Sequence, residues 1–209
     1  MGVNGDKGHA SMNALKPTTA SHETEASDRI LFGFWVYLMT DLLMFAVLFA
    51  VYAVLNGSNV GTPPDRELFR LPLALSGTLL LLTSSFTCGI GMIAARRGNI
   101  SQTIRWFITT FLLGLAFLGV ETVEFAELIR EGHTYSANAF LSAFFILLGT
   151  HGLHIVFGLV WIAVMLVFIS KRGLSASMTR KLAQLSLYWH FLDIVWIFIF
   201  TIVYLRAFI

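Results

Sequence analysis

The sequence predicts an all-α integral membrane bundle of five transmembrane helices, and three observations predict it. Hydrophobic residues make up 56% of the 209 residues and charged residues only 12%, where a soluble domain carries about 25% charged residues. Nineteen Phe, five Trp and seven Met add to that apolar load. The apolar residues gather into five runs, each able to supply the roughly 20 helical residues that cross a hydrocarbon core. The runs are apolar all round, as membrane helices are, and lack the two-residue alternation of barrel strands.

Residues 1–29 are polar, with Gly, Ser, Thr and Asn throughout, and hold no apolar core of the kind a signal peptide needs. They read as a disordered cytoplasmic leader, with His9 and His22 in solvent, ahead of a membrane domain at 30–209. The first helix is expected near 31–55, interrupted only by Asp41. Residues 56–70, with Gly57, Gly61, Pro63 and Pro64, read as a loop. The second helix, near 71–95, is uncharged. The third, near 106–129, carries Glu121, Glu124 and Glu127 toward its end. The fourth, near 139–169, has no Asp, Glu, Lys or Arg but contains His151 and His154, and the fifth, near 183–206, contains His190 and Asp193.

Two connections are short. Arg96-Arg97-Gly98-Asn99 follows the second helix and Lys171-Arg172-Gly173 the fourth. Basic residues suit the negative end of a helix, and the glycine that follows offers a left-handed stop. Orientation comes from the basic residues. Lys7, Lys16, Arg29, Arg96, Arg97, Arg105, Lys171, Arg172, Arg180 and Lys181 fall on one side, against Arg66, Arg70, Arg130 and Arg206 on the other. The positive-inside rule then puts the N-terminus in the cytoplasm and the C-terminus in the periplasm.

Composition also excludes. Cys88 is the single cysteine, so the chain can form no internal disulfide, no Cys-ligated iron–sulfur cluster, no C-x-x-C-H haem attachment and no two-thiolate copper centre. The net charge is only +2, and no basic run interleaved with aromatics points to nucleic acid.

A charged side chain at the bilayer centre costs about 2.5–3.5 kcal/mol on insertion scales, so Asp41, Glu121, Glu124, His151, His154, His190 and Asp193 are not expected to face lipid. At about 1.5 Å per residue, Asp41, Asp193, His151 and His154 fall near mid-membrane, and Glu121 and Glu124 in the outer half. A spacing of three residues keeps Glu121 with Glu124, His151 with His154, and His190 with Asp193 on one face each. Three readings fit the residues alone. They could form an interhelical hydrogen-bond network joining the third, fourth and fifth helices. They could be metal or haem ligands, because E-x-x-E, H-x-x-H and H-x-x-D resemble ligand spacings in bundles. Or they could be a proton or ion pathway. Gly149, Gly152 and Gly158, with Ser84, Ser85 and Gly89, read as small residues for close helix approach. Trp35, Trp106 and Tyr204 read as an interfacial belt, and Trp161, Trp189 and Trp196 as deeper packing residues. Arg96 and Arg97 are candidates to hold an anionic lipid headgroup.

The stretch Thr150-His151-Gly152-Leu153-His154-Ile155-Val156-Phe157-Gly158 resembles the signature of subunit III of the haem–copper terminal oxidases. So does Tyr188-Trp189-His190-Phe191-Leu192-Asp193-Ile194-Val195-Trp196, which leads to Thr201-Ile202-Val203-Tyr204. Glu121-Thr122-Val123-Glu124 is similar to that family's paired glutamates. Phe32-Gly33-Phe34-Trp35 leading to Met39-Thr40-Asp41 is similar to its segment with a buried acid. The resemblance covers residues 29–209 in order. A polar leader before five helices, and Asp where many members carry Glu, make the bacterial cytochrome bo-type ubiquinol oxidases the most similar branch.

The resemblance implies an accessory role in a bacterial inner membrane, with no catalytic, metal or cofactor residue in this chain. Haem and copper are expected in subunit I, its main contact, with subunits II and IV in the same complex and phospholipid bound in a cleft. It implies support for assembly and proton uptake in a complex that oxidises ubiquinol, reduces oxygen to water and moves protons. On this view the intramembrane polar residues form a structural network. Within the family, a cytochrome c oxidase subunit III or a nitric oxide reductase-associated protein is the alternative. Outside it, a free-standing proton channel or a b-type membrane cytochrome is.

Overall fold

The computed structural model describes residues 16–55, 71–130 and 139–205. These form α1 (Lys16–Leu55), α2 (Leu71–Arg96), α3 (Ile100–Arg130), α4 (Ala139–Arg172) and α5 (Ala176–Ile199), the last continued by a π-helical stretch, Phe200–Leu205. Among the described residues there is no strand, and five helices are long and apolar enough to cross a membrane: Arg29–Leu55, Pro72–Arg96, Ile100–Arg130, Ala139–Arg172 and Ala176–Leu205. The five-helix expectation holds.

Three helices begin earlier than the apolar runs suggested, because apolarity marks the bilayer crossing and not the helix start. α1 is already helical at Lys16, so residues 16–29, expected to be disordered, are helical instead. Ala20, Glu23, Glu25 and Ala26 there are good helix formers. Residues 1–15 of the expected leader and the expected loop at 56–70 lie outside the described residues. α3 starts at Ile100 behind Asn99, whose Oδ1 accepts from the Gln102 N–H at 3.2 Å. α5 starts at Ala176 behind Ser175, in extended conformation, whose Oγ accepts from the Met178 N–H at 3.2 Å. Both are polar N-caps that satisfy free amides of the first turn.

The two glycine stops behave as the sequence predicted. Gly98 and Gly173 have φ of 72° and 71°. The Gly98 N–H donates to the Ala95 carbonyl at 3.0 Å, the Asn99 N–H to Ala94 at 3.1 Å, and the Gly173 N–H to Ile169 at 2.9 Å. These bonds close the last turns of α2 and α4. Nothing lies within 4 Å of a Cβ added at Gly98, so Gly98→Ala isolates the backbone cost. It is expected to destabilise the chain by about 1 kcal/mol, read as a lowered unfolding midpoint in detergent. An unchanged midpoint would show that the turn does not need the left-handed residue.

The chain divides into two compact units between Asp41 and Leu42. In the first, Leu38 and Asp41 are buried, while Phe32, Trp35, Val36 and Met39 are exposed. In the second, α2 packs on α3, α3 on α4, α4 on α5, and α5 back on α2, so these four helices close a ring. The 42–55 segment of α1 joins them through aromatic contacts. Phe45 meets His154 with ring centres 5.3 Å apart, Tyr52 meets Phe140 at 5.4 Å, and Phe49 meets Phe198 at 6.4 Å.

The buried positions explain this geometry. Along α2 one series of them runs Ala74, Gly77, Leu81, Ser84, Cys88, Gly91 and Ala95, and along α3 they are Thr103, Phe107, Thr110, Gly114, Phe117, Glu121, Glu124 and Leu128. α4 buries Phe144, Leu148, His151, Ile155, Gly158, Ile162, Met165 and Ile169, and α5 buries Leu182, Leu185, Trp189, Leu192, Trp196 and Ile199. Each series steps by three and four residues alternately. That is the seven-residue repeat of helices crossing at a shallow angle. The α2 series is mostly small, so large rings enter it. Phe117 and Trp196 lie against Gly77, and Phe107 against Gly91.

Candidate functional site

The intramembrane polar residues separate into two groups within the second unit. On α3, Glu121 and Glu124 are consecutive positions of the buried seam, 3% and 7% exposed. The Glu121 carboxyl lies over Gly152 of α4, where an added Cβ would stand 3.3 Å from Oε2. A side chain there would push the carboxyl aside by a few tenths of an ångström. Tyr204, wholly buried in the π-helical stretch, sets its hydroxyl beside Glu124.

One residue before Gly152, His151 is fully buried in an aromatic cage. Trp196 stacks on its ring at 5.4 Å and 28°, and Phe117 and Phe45 present edges at 6.1 and 6.4 Å. Neither ring nitrogen has a hydrogen-bond partner among the described residues. His154 is placed differently. It is half-buried, with Nδ1 2.7 Å from the Thr150 carbonyl, and its own carbonyl accepts from the Tyr188 hydroxyl at 3.0 Å.

The second group joins α5 to α2. His190 Nδ1 and Ser85 Oγ are hydrogen-bonded, and Asp193, one turn further along α5, shares Ser85. Beside it runs a ladder of hydroxyls. Trp196 Nε1 donates to Thr78 Oγ1 at 3.0 Å, and Trp189 Nε1 to Ser84 Oγ at 3.1 Å. Ser84 in turn donates to the Thr110 carbonyl at 3.1 Å, and Thr87 and Thr110 share a 2.9 Å bond. These bonds give the two indoles partners where water is absent, as buried polar groups in lipid require.

Several expectations change. The single hydrogen-bond network expected over α3, α4 and α5 does not form among the described residues, because His190 and Asp193 turn to Ser85 of α2 while Glu121 and His151 have no hydrogen-bond partner there. Ser85, read as a packing residue, is their partner. Tyr204, assigned to the interfacial belt, is 0% exposed, since the π-helical turn carries it inward to Glu124. Gly152 and Gly158 admit close neighbours, with Trp189 2.9 Å from a Cβ at Gly158, but nothing approaches Gly149 or Gly89. The sequence reading missed Gly114, where an added Cβ would meet Trp189 and Leu159 at 2.9 Å. Asp41 is buried on α1, within the first unit. Arg96 and Arg97 are exposed at the end of α2. Arg105, counted only for topology, lines an open groove of about 500 Å³ with Gln102, Trp106 and Thr109.

The sequence profile of the cytochrome c oxidase subunit III family matches residues 12–208. The chain belongs to that family. Among curated members, the cytochrome bo(3) ubiquinol oxidase subunit 3 of Pseudomonas aeruginosa is 50% identical over 186 residues, covering 89% of each chain. The quinol oxidase subunit 3 of Bacillus subtilis is 45% identical, covering 89% of this chain and 91% of that one. The cytochrome c oxidase subunit 3 of Bacillus sp. PS3 is 45% identical, covering 84% of each. In this subunit III chain, the glutamate, histidine and aspartate motifs that carried the resemblance lie on buried or half-buried faces of the bundle.

Proposed function

We propose that this chain is the accessory third subunit of a bacterial ubiquinol oxidase, a complex that oxidises ubiquinol, reduces oxygen to water and translocates protons. The observation that carries this is 50% identity over nine-tenths of the chain to a ubiquinol oxidase subunit 3. A cytochrome c oxidase subunit is the second reading, favoured by the Bacillus sp. PS3 relative. In the first reading the chain is itself non-catalytic and holds no redox centre. Haem and copper reside in subunit I, against which it packs, with subunits II and IV completing the assembly in the inner membrane. Its N-terminus is cytoplasmic, in keeping with the ten basic residues on that side.

Asp41, Glu121, Glu124, His151, His154, His190 and Asp193 serve the bundle as structural groups. Support comes from the way they are used. Glu121 fits over a glycine, His151 sits among aromatic rings, and His190 ties α5 to α2. A bound phospholipid would find cations at Arg96 and Arg97, and at Arg105 with Trp106 in the same groove.

The test is native mass spectrometry of the tagged chain from membranes in mild detergent. A haem-bearing subunit I and a subunit II without a copper site are expected to accompany it. A subunit with a two-cysteine copper domain would move the assignment to a cytochrome c oxidase, and a chain flying alone would overturn both. The purified chain is also expected to show no Soret band and to leave liposomes tight to protons. A Soret band lost in His154→Ala or His190→Ala, or a leak abolished by Asp41→Asn, would replace the accessory role with a cytochrome or a channel.

A further inference from the structure

The ring of α2–α5 uses most of its glycines internally. Gly77, Gly91, Gly114, Gly152 and Gly158 each lie within 3.6 Å of a neighbouring side chain, measured from an added Cβ. Gly89 does not, with nothing inside 4 Å, although Ser85-x-x-x-Gly89 has the small–xxx–small spacing that brings membrane helices together. The two residues lie in an open groove of about 490 Å³ whose walls include Leu82, Phe86, His190 and Asp193. Leu82 and Phe86 are 41% and 69% exposed. Leu82, Phe86, Gly89 and Ile93 step by four, three and four residues. That is the spacing by which this bundle buries its own faces, here turned outward.

Asp193 supplies the second observation. It is 8% exposed and lines this groove, yet its Oδ1 has no hydrogen-bond partner among the described residues. Ser85 is thirteen residues from Pro72 and eleven from Arg96, roughly 20 and 17 Å from the ends of the span at 1.5 Å per residue. The site is therefore at mid-membrane, out of reach of lipid headgroups. An acid there without a full set of partners is costly when only lipid tails face it.

We propose that this groove on α2 and α5 docks a transmembrane helix of a partner subunit, which presents a hydrogen-bond donor to Asp193 at mid-membrane depth. The inference rests on the accessory-subunit reading. A helix suits the site because the outward stripe repeats with helical spacing, Gly89 leaves room for a close backbone, and the orphan carboxylate oxygen asks for a donor.

The test uses the complete complex extracted from membranes. Phe86 is replaced by the photo-crosslinking residue p-benzoylphenylalanine, and adducts are mapped after irradiation. An adduct on an apolar helix of another subunit, within about one turn of a donor side chain, is expected. An adduct with lipid alone, no adduct, or a helix without such a donor overturns the inference. In parallel, Gly89→Leu places a side chain in the groove from a Cβ that has nothing within 4 Å. It is expected to lower the fraction of chain co-migrating with the complex about tenfold, with membrane levels unchanged. Co-migration at the wild-type level overturns the inference. If that variant does not accumulate, the adduct at position 86 decides, since that chain is otherwise native. A wild-type chain that never enters a complex overturns the accessory reading itself. A complex that forms normally with a lipid-facing groove overturns only the docking.

Discussion

Trp189→Ala is expected to be the most destabilising single substitution in the bundle. The indole is 1% exposed and touches three other helices. Its ring edge lies 2.9 Å from the Cβ positions of Gly114 on α3 and Gly158 on α4, and its Nε1 donates to Ser84 on α2 at 3.1 Å. Lipid tails are as apolar as the bundle interior, so close packing and hydrogen bonds hold these helices together more than exclusion from water does. Truncation removes both, at a cost of about 3–5 kcal/mol by analogy with buried aromatic truncations. Gly114→Leu attacks the same contact from the other side. The ring, pinned between two glycines, cannot yield without breaking the Ser84 bond, and overpacking of this kind costs about 1–3 kcal/mol or more. The check is the unfolding midpoint of each variant in a detergent titration. The double variant should be less destabilised than the sum of the two, because the added leucine enters the space the indole vacates. A Trp189→Ala midpoint equal to the native one, or strict additivity, would remove Trp189 from the centre of the packing.

The number of helices and their order were legible because each crossing needs an unbroken apolar run, and the two glycine stops because positive φ has few other tenants. Helix starts were not, since Asn99 and Ser175 cap in polar sequence where hydropathy is silent. The facing of the polar residues was half legible. A spacing of three placed Glu121 with Glu124 and His190 with Asp193 on shared faces, but it could not say which neighbour each face meets. The three-and-four register did carry that signal. Glu121 and Glu124 continue the series of Phe107, Gly114 and Phe117, and His151 continues that of Phe144 and Ile155. In a chain where every face is apolar, the register shows only when small and large residues are set against each other, as Gly114 is against Trp189. Tyr204 was misplaced for a different reason. Its position suggested an interface, but the helix widens at Phe200–Leu205 and rotates the residue inward. Propensity contains no trace of that change.

His151→Phe and His151→Ala are expected to part company, and the difference decides what this histidine is for. A ligand or proton-relay histidine is held by hydrogen bonds that fix its nitrogens. His151 instead is held by rings, with Trp196 stacked at 5.4 Å and Phe117 and Phe45 edge-on. Its two nitrogens have no partner among the described residues. A buried polar group without partners is unfavourable, so a ring of similar size lacking the nitrogens loses little and can gain. His151→Phe should therefore keep the native unfolding midpoint or raise it, and leave turnover of the complex intact. His151→Ala opens a cavity between α3, α4 and α5 and should cost about 2 kcal/mol or more. His154 makes the comparison sharper, because its Nδ1 does have a partner in the Thr150 carbonyl at 2.7 Å. His154→Phe is expected to cost more than His151→Phe although the site is less buried. If His151→Phe proved as damaging as His151→Ala, the ring nitrogens would be in use. A relay or a ligand role at the centre of the bundle would then displace the packing role.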